Sequence, residues 1–85
     1  MSISNSADFV DVVLVQTGSK KTQVILALRE ATTKETIVKM IDLAMAKQLT
    51  DSPPCVVVPN VPRAVGERIK AALERAGATV ELKPA

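Results

Sequence analysis

Residues 67–83 read ERIKAALERAGATVELK. In the first ten of these, Ile69, Ala72, Leu73 and Ala76 recur at helical spacing, and Val65 extends the same face upstream. Gly77 stands where a helix ends on a left-handed residue. The next six residues, ATVELK (78–83), switch to two-residue alternation, with Val80 and Leu82 on one face of a strand. A helix that stops at a glycine and runs straight into a strand anchors the reading of the rest.

Upstream, Asn60 is placed to cap this helix, and Pro62 falls in its first turn, where a missing N–H costs little. Gly66 inside the helix costs roughly 1 kcal/mol against Ala, which points to close approach of a neighbour. CVVV (55–58) reads as a short buried strand, and Pro53 and Pro54 end the helix before it. At the other end, residues 1–8 are polar and expected to be flexible. FVDVVLV (9–15) is rich in β-branched residues and reads as a strand that Gly18 ends. Ser19 is the expected N-cap of a helix over 20–31, with Val24, Leu28 and Ala31 on its inner face.

The run TTKETIVKMIDLAMAKQL (32–49) reads as one further helix. Thr32 and Glu35 have the spacing of a capping box, and Ile37, Met40, Ile41 and Ala44 form a stripe. Val38, Met45 and Leu49 are then left over. They are expected to pack under the proline loop; a self-association surface that makes a homodimer is the alternative. The order β-α-α-β-α-β predicts a single α+β domain over 9–85. It is a two-layer sandwich, a three-stranded sheet with three helices on one face.

Composition narrows the function. The chain has 85 residues, 47% of them apolar, and a net charge of +2. It has no His, and Cys55 is its one cysteine, so Cys/His metal sites, Ser-His and Cys-His pairs and an intrachain disulfide are all excluded. The carboxylates form no acid–base pair. No enzyme, metal or cofactor is expected. Phe9 is the sole aromatic residue, and the charge is small, which argues against RNA. No signal peptide and no membrane-length apolar run are present, so a cytoplasmic protein without membrane association is expected.

The segment TGSKK (17–21) has one glycine, whereas a phosphate-wrapping Walker loop needs two before its Lys. A strand-to-helix turn with a basic face remains, either solvated or used for docking. Lys21, Ile25 and Arg29 share a helix face at i, i+4 and i+8. An apolar residue between two cations suits an acidic, partly apolar partner. The alternative is an ordinary surface helix with one stray isoleucine.

The stretch 67–83 resembles the end of the C-terminal domain of the bacterial ribosomal stalk protein, the seven/twelve protein of the large subunit. That family typically closes on E-x-L-K-x-A-L-E-x-A-G-A-x-V-E-V-K. The similarity runs back without a gap to Pro54, and DVVLVQTGSKKTQVILALREAT (11–32) is similar to the family's first strand and helix. The resemblance implies the same β-α-α-β-α-β fold and a protein-docking role, because the family's first helix and the turn after it contact GTPase translation factors. Carried over by position, that face holds Lys20, Lys21, Thr22, Ile25, Leu26 and Arg29. Lys21 and Arg29 keep its basic character, and Ile25 keeps an exposed apolar anchor. Thr22 and Leu26 replace the usual Val and Lys.

Between 31 and 54 the sequence departs from the family. The glycine-rich turn T-G-L-G-L-K-E-A-K gives way to TTKETIVKM, the segment is several residues longer, and the family's lysine on the second helix has no counterpart. The family's N-terminal dimerisation domain and hinge are absent from the sequence, so a stand-alone domain is the expectation. A translation GTPase is the expected partner. The alternatives are an adaptor for an unrelated protein that engages 32–54, and weak RNA binding through the basic face. ClpS-type adaptors share the fold, but the carboxylates and His with which they hold a substrate N-terminus have no match near Gln16, Thr17 and Gly18.

Overall fold

A computed structural model describes residues 9–35 and 41–85. The elements follow the expected order: β1 (Phe9–Gln16), α1 (Lys21–Lys34), α2 (Leu43–Asp51), β2 (Cys55–Pro62), α3 (Arg63–Arg75) and β3 (Thr79–Pro84). The sheet order is β2-β1-β3, antiparallel throughout. The α+β sandwich is therefore as read. β1 takes the centre because Val10, Val12 and Leu14 alternate toward one face, where all three are fully buried. α3 lies across all three strands, and α1 packs on α3 and α2.

The helix–glycine–strand unit folds as its residues require. Val65, Gly66, Ile69 and Leu73 of α3 face the core. Gly77 adopts φ +102, its N–H donates to the Glu74 carbonyl at 3.0 Å, and the Ala78 N–H donates to the Leu73 carbonyl at 3.1 Å. This double bond pattern is a Schellman stop. Gly66 meets β1 closely: a Cβ there would lie 2.6 Å from Val10 Cγ2.

Several boundaries differ from expectation. Asn60 does not cap α3. It lies inside β2 with φ +52, and its N–H donates to Asp11 Oδ1 at 2.8 Å. β2 runs on to Pro62 because the register with β1 shifts between Val10 and Val12, which accommodates Pro59 and Asn60 out of the regular ladder; a second shift falls at Val57. Pro62 is itself the N-cap residue of α3. Ser19 does not cap α1; Lys20 holds the N-cap position, with no side-chain bond.

The largest correction concerns Thr32. It does not start a second helix but lies within α1. Its hydroxyl donates back to the Leu28 and Arg29 carbonyls at 3.0 and 3.1 Å, and Thr33 does the same to Arg29 at 2.8 Å. Threonine hydroxyls that bond back to the preceding turn let a helix continue through them. The partner expected for Thr32 is also engaged elsewhere, because the Glu35 carboxylate binds Arg68 of α3. α2 begins later, capped by Asp42, whose carboxylate accepts from the Met45 N–H at 2.8 Å. Of the stripe expected here, Ile41 is buried and Ala44 exposed. Ile37, Val38 and Met40 lie outside the described residues.

Candidate docking face on the first helix

The turn 17–20 delivers α1 to the surface. Gly18 has φ +83, and a Cβ on it would stand 2.6 Å from the Gly77 carbonyl oxygen. Its glycine is therefore explained by the close approach of two turns at the same end of the sheet, with no anion in the account. Next to it, the buried Thr17 hydroxyl donates to the Thr50 carbonyl at 2.6 Å and ties the turn to the end of α2. The Cys55 thiol also reaches α2, donating to the Leu49 carbonyl at 3.2 Å. Cys55 is half-buried rather than fully buried, and burial raises its pKa, which keeps the thiol protonated and inert.

Along α1, the buried residues are Val24, Ile25, Leu28 and Thr32. The expected Val24–Leu28–Ala31 line does face the core, with Val24 and Leu28 fully buried and Ala31 partly buried against it, and the buried arc extends further to Ile25 and Thr32. Two helices flank α1 and widen the arc it buries, and α2 covers the Ile25–Thr32 side. Thr32 also holds the segment that leads into α2, since its hydroxyl accepts the Ile41 N–H at 3.3 Å.

This wider arc corrects one of the six sequence-derived site residues. Ile25 is not an exposed anchor. It is 9% exposed and part of the hydrophobic core. Lys21 is exposed but engaged, forming an ion pair with Asp51 at the last residue of α2. The other four stand as surface residues: Lys20, Thr22, Leu26 and Arg29 are all exposed. Thr22, Leu26 and Arg29 recur at i, i+4 and i+7, so they share the outward face. Leu26, at 52% exposure, supplies the apolar element that Ile25 does not. In the sequence Leu26 stands on this face only as the replacement of the family's usual lysine. The signal was the consecutive run Val24-Ile25-Leu26, in which one residue must point outward.

On α2, Leu43 and Met45 are also exposed. At the far end of α1, Glu35 is gripped by Arg68 through two bonds, Nε to Oε2 at 2.8 Å and Nη2 to Oε1 at 2.9 Å. That side-chain bonding, helped by the guanidinium charge, holds the Glu35 carboxyl below its ordinary pKa and raises that of Arg68. Among the described residues, no cluster of His, Cys, Asp and Glu is placed to hold a metal. No described helix is long and apolar enough to cross a membrane.

Comparison with known proteins bears on what such a face is for. The family model of the ribosomal protein L7/L12 C-terminal domain matches residues 10–83. The large ribosomal subunit protein bL12 of Psychrobacter arcticus is 46% identical over 76 residues, 89% of this chain and 56% of that protein. The bL12 of Staphylococcus saprophyticus is 41% identical over 80 residues, 94% and 59% respectively. That of Rickettsia canadensis is 42% identical over 82 residues, 96% and 59%. The chain thus spans somewhat over half the length of these curated relatives. The matched span includes the segment 32–54, where the sequence looked least like the family. These relatives are proteins of the large ribosomal subunit.

Proposed function

The chain belongs to the ribosomal protein L7/L12 C-terminal domain family, and from that premise we propose that it is a non-enzymatic docking module of the stalk type, acting in the cytoplasm. Its working surface is the outward face of α1, and its partner is a translation GTPase. Leu26 enters an apolar pocket of that partner, while Lys20 and Arg29 meet its carboxylates. The observation that carries this reading is the exposed Leu26 between Thr22 and Arg29 on a helix whose other face is locked into the core. An apolar centre with a charged rim is the usual anatomy of a protein–protein contact. Lys21 serves mainly to hold the α1–α2 hairpin through Asp51.

The test is a titration of purified elongation factor with this protein and with a Leu26→Asp/Arg29→Glu variant. Both changes are on exposed positions, so circular dichroism should match the wild type. The variant is expected to lose binding. Equal affinity for both proteins would move the site off α1.

A second reading has one observation in its favour. Leu43 and Met45 of α2 are each about half exposed, which suits an adaptor whose partner contacts the hairpin instead. It predicts that Met45→Asp, rather than the α1 variant, abolishes binding.

A further inference from the structure

β3 forms one edge of the sheet, with β1 on one side and no described strand on the other. The register fixes what that edge offers. The Ala85 N–H donates to the Phe9 carbonyl at 3.1 Å, and Asp11↔Lys83 and Val13↔Glu81 continue the same ladder. Bonded pairs alternate along an antiparallel ladder, so Glu81, Lys83 and Ala85 turn their main-chain groups to β1. Val80, Leu82 and Pro84 turn theirs to the open side. That side is not filled by the described residues: a groove of about 610 Å³ runs along it, lined by Val80, Glu81 and Leu82 of the edge and by Lys70, Ala71 and Glu74 of α3.

The side chains alternate between the two faces of the sheet. Val80 is buried in the core and Leu82 packs partly against it, so both lie on the helix side. Glu81 and Lys83 fall between and beyond them, on the face that carries no helix. Both are exposed, and among the described residues neither forms an ion pair. Asp11, the cross-strand neighbour of Lys83, accepts the Asn60 N–H instead. The edge therefore presents open main chain and one uncompensated charge of each sign.

This arrangement is complementary to itself. Set antiparallel to a second β3 with Leu82 opposite Leu82, the strand places Glu81 opposite the second copy's Lys83, and Lys83 opposite its Glu81. The main-chain groups match as well: the Leu82 residues exchange N–H···O=C bonds, and each Val80 N–H meets the other copy's Pro84 carbonyl. A slipped register, with position 81 or position 83 on the two-fold axis, sets Glu opposite Glu or Lys opposite Lys, which is destabilising.

We infer that the domain pairs with a second copy of itself along β3, joining the two sheets into one about a two-fold axis at Leu82. Open sheet edges are templates for such pairing, and a two-fold contact needs a surface that complements itself. The contact uses no residue of the outward α1 face, so each copy keeps that face for a partner.

The test is sedimentation equilibrium from micromolar to millimolar protein, with circular dichroism to check that each variant folds. The wild type should show a reversible monomer–dimer equilibrium. Glu81→Lys should weaken it about ten-fold, because both cross-strand pairs turn from attraction to repulsion at once. Lys83→Glu should do the same. An equimolar mixture of these two variants should associate as the wild type does, since one copy then carries both cations and the other both carboxylates. Met45→Asp should match the wild type, which separates this contact from one made by α2. The proposal is overturned by a wild type that stays monomeric throughout, by a dimer that Glu81→Lys leaves intact, or by a mixture that associates no more tightly than its single variants.

Discussion

α1 and α3 are of similar length and both carry a basic residue in their last turn, yet they are held in different ways. α3 lies directly across the sheet, ends on a Schellman stop, and admits β1 against Gly66. Neither helix has a side-chain cap at its start, but α1 packs against two other helices. Its ends are pinned by polar contacts instead: Lys21 to Asp51, and Glu35, just past its C-terminus, to Arg68. A helix seated on a sheet is fixed by packing. A helix seated on helices leaves a full face outward, and this one turns out Thr22, Leu26 and Arg29.

The largest expected effects lie on the α3 side. Ile69→Ala removes a fully buried side chain at the centre of the α3–sheet contact and should cost about 2–5 kcal/mol in urea unfolding. A loss under about 1 kcal/mol would mean that the α3 contact is not the stronger of the two. Next come the paired turns. Gly77→Ala meets open space and carries only the penalty of a positive φ, about 1–2 kcal/mol. Gly18→Ala adds a clash with the Gly77 carbonyl and should be clearly worse in the same assay. Equal losses would show that the two turns do not touch.

The hairpin effects are smaller. Asp42→Ala removes the cap of α2 and should cost about 1 kcal/mol. Ser19→Ala, at a position with no capping bond, should leave the melting temperature unchanged. A reversed order would restore Ser19 as the cap. The smallest effect is in acid. Glu35 has a depressed pKa in the folded state, so its stabilising contribution is full above the unfolded carboxyl pKa and fades as pH falls through the folded one. An Arg68→Gln variant should lose less stability than the wild type between neutral and acid pH. Parallel pH profiles would show that the pair is not formed in solution.

These contrasts also mark what the sequence makes legible. In α3–β3 one local pattern decides everything, because Gly77, the apolar stripe and the alternation after it all agree. The bulge in β2 is not legible, since Asn60 two residues ahead of Pro62 reads as a cap until Asp11, distant in sequence, is seen to take its N–H. The α1–α2 hairpin failed for the same kind of reason. Thr32 and Glu35 make a sound capping box locally, but Arg68, 33 residues away from Glu35, claims the carboxylate. The site was legible as a helix and not as a face. Val24, Ile25, Leu26 and Leu28 fit more than one rotation, and only the presence of α2 beside α1 selects the one that buries Ile25.

The burial of Ile25 beside an exposed Leu26 is the central claim, and one paired measurement addresses it. Ile25→Ala and Leu26→Ala are each assayed for unfolding free energy and for elongation-factor binding. The account predicts that Ile25→Ala loses about 2–4 kcal/mol of stability while its folded fraction binds normally. It predicts that Leu26→Ala stays within about 0.5 kcal/mol of the wild type and binds weakly. A stable Ile25→Ala protein that no longer binds, beside a Leu26→Ala protein that does, would contradict it and return Ile25 to the surface.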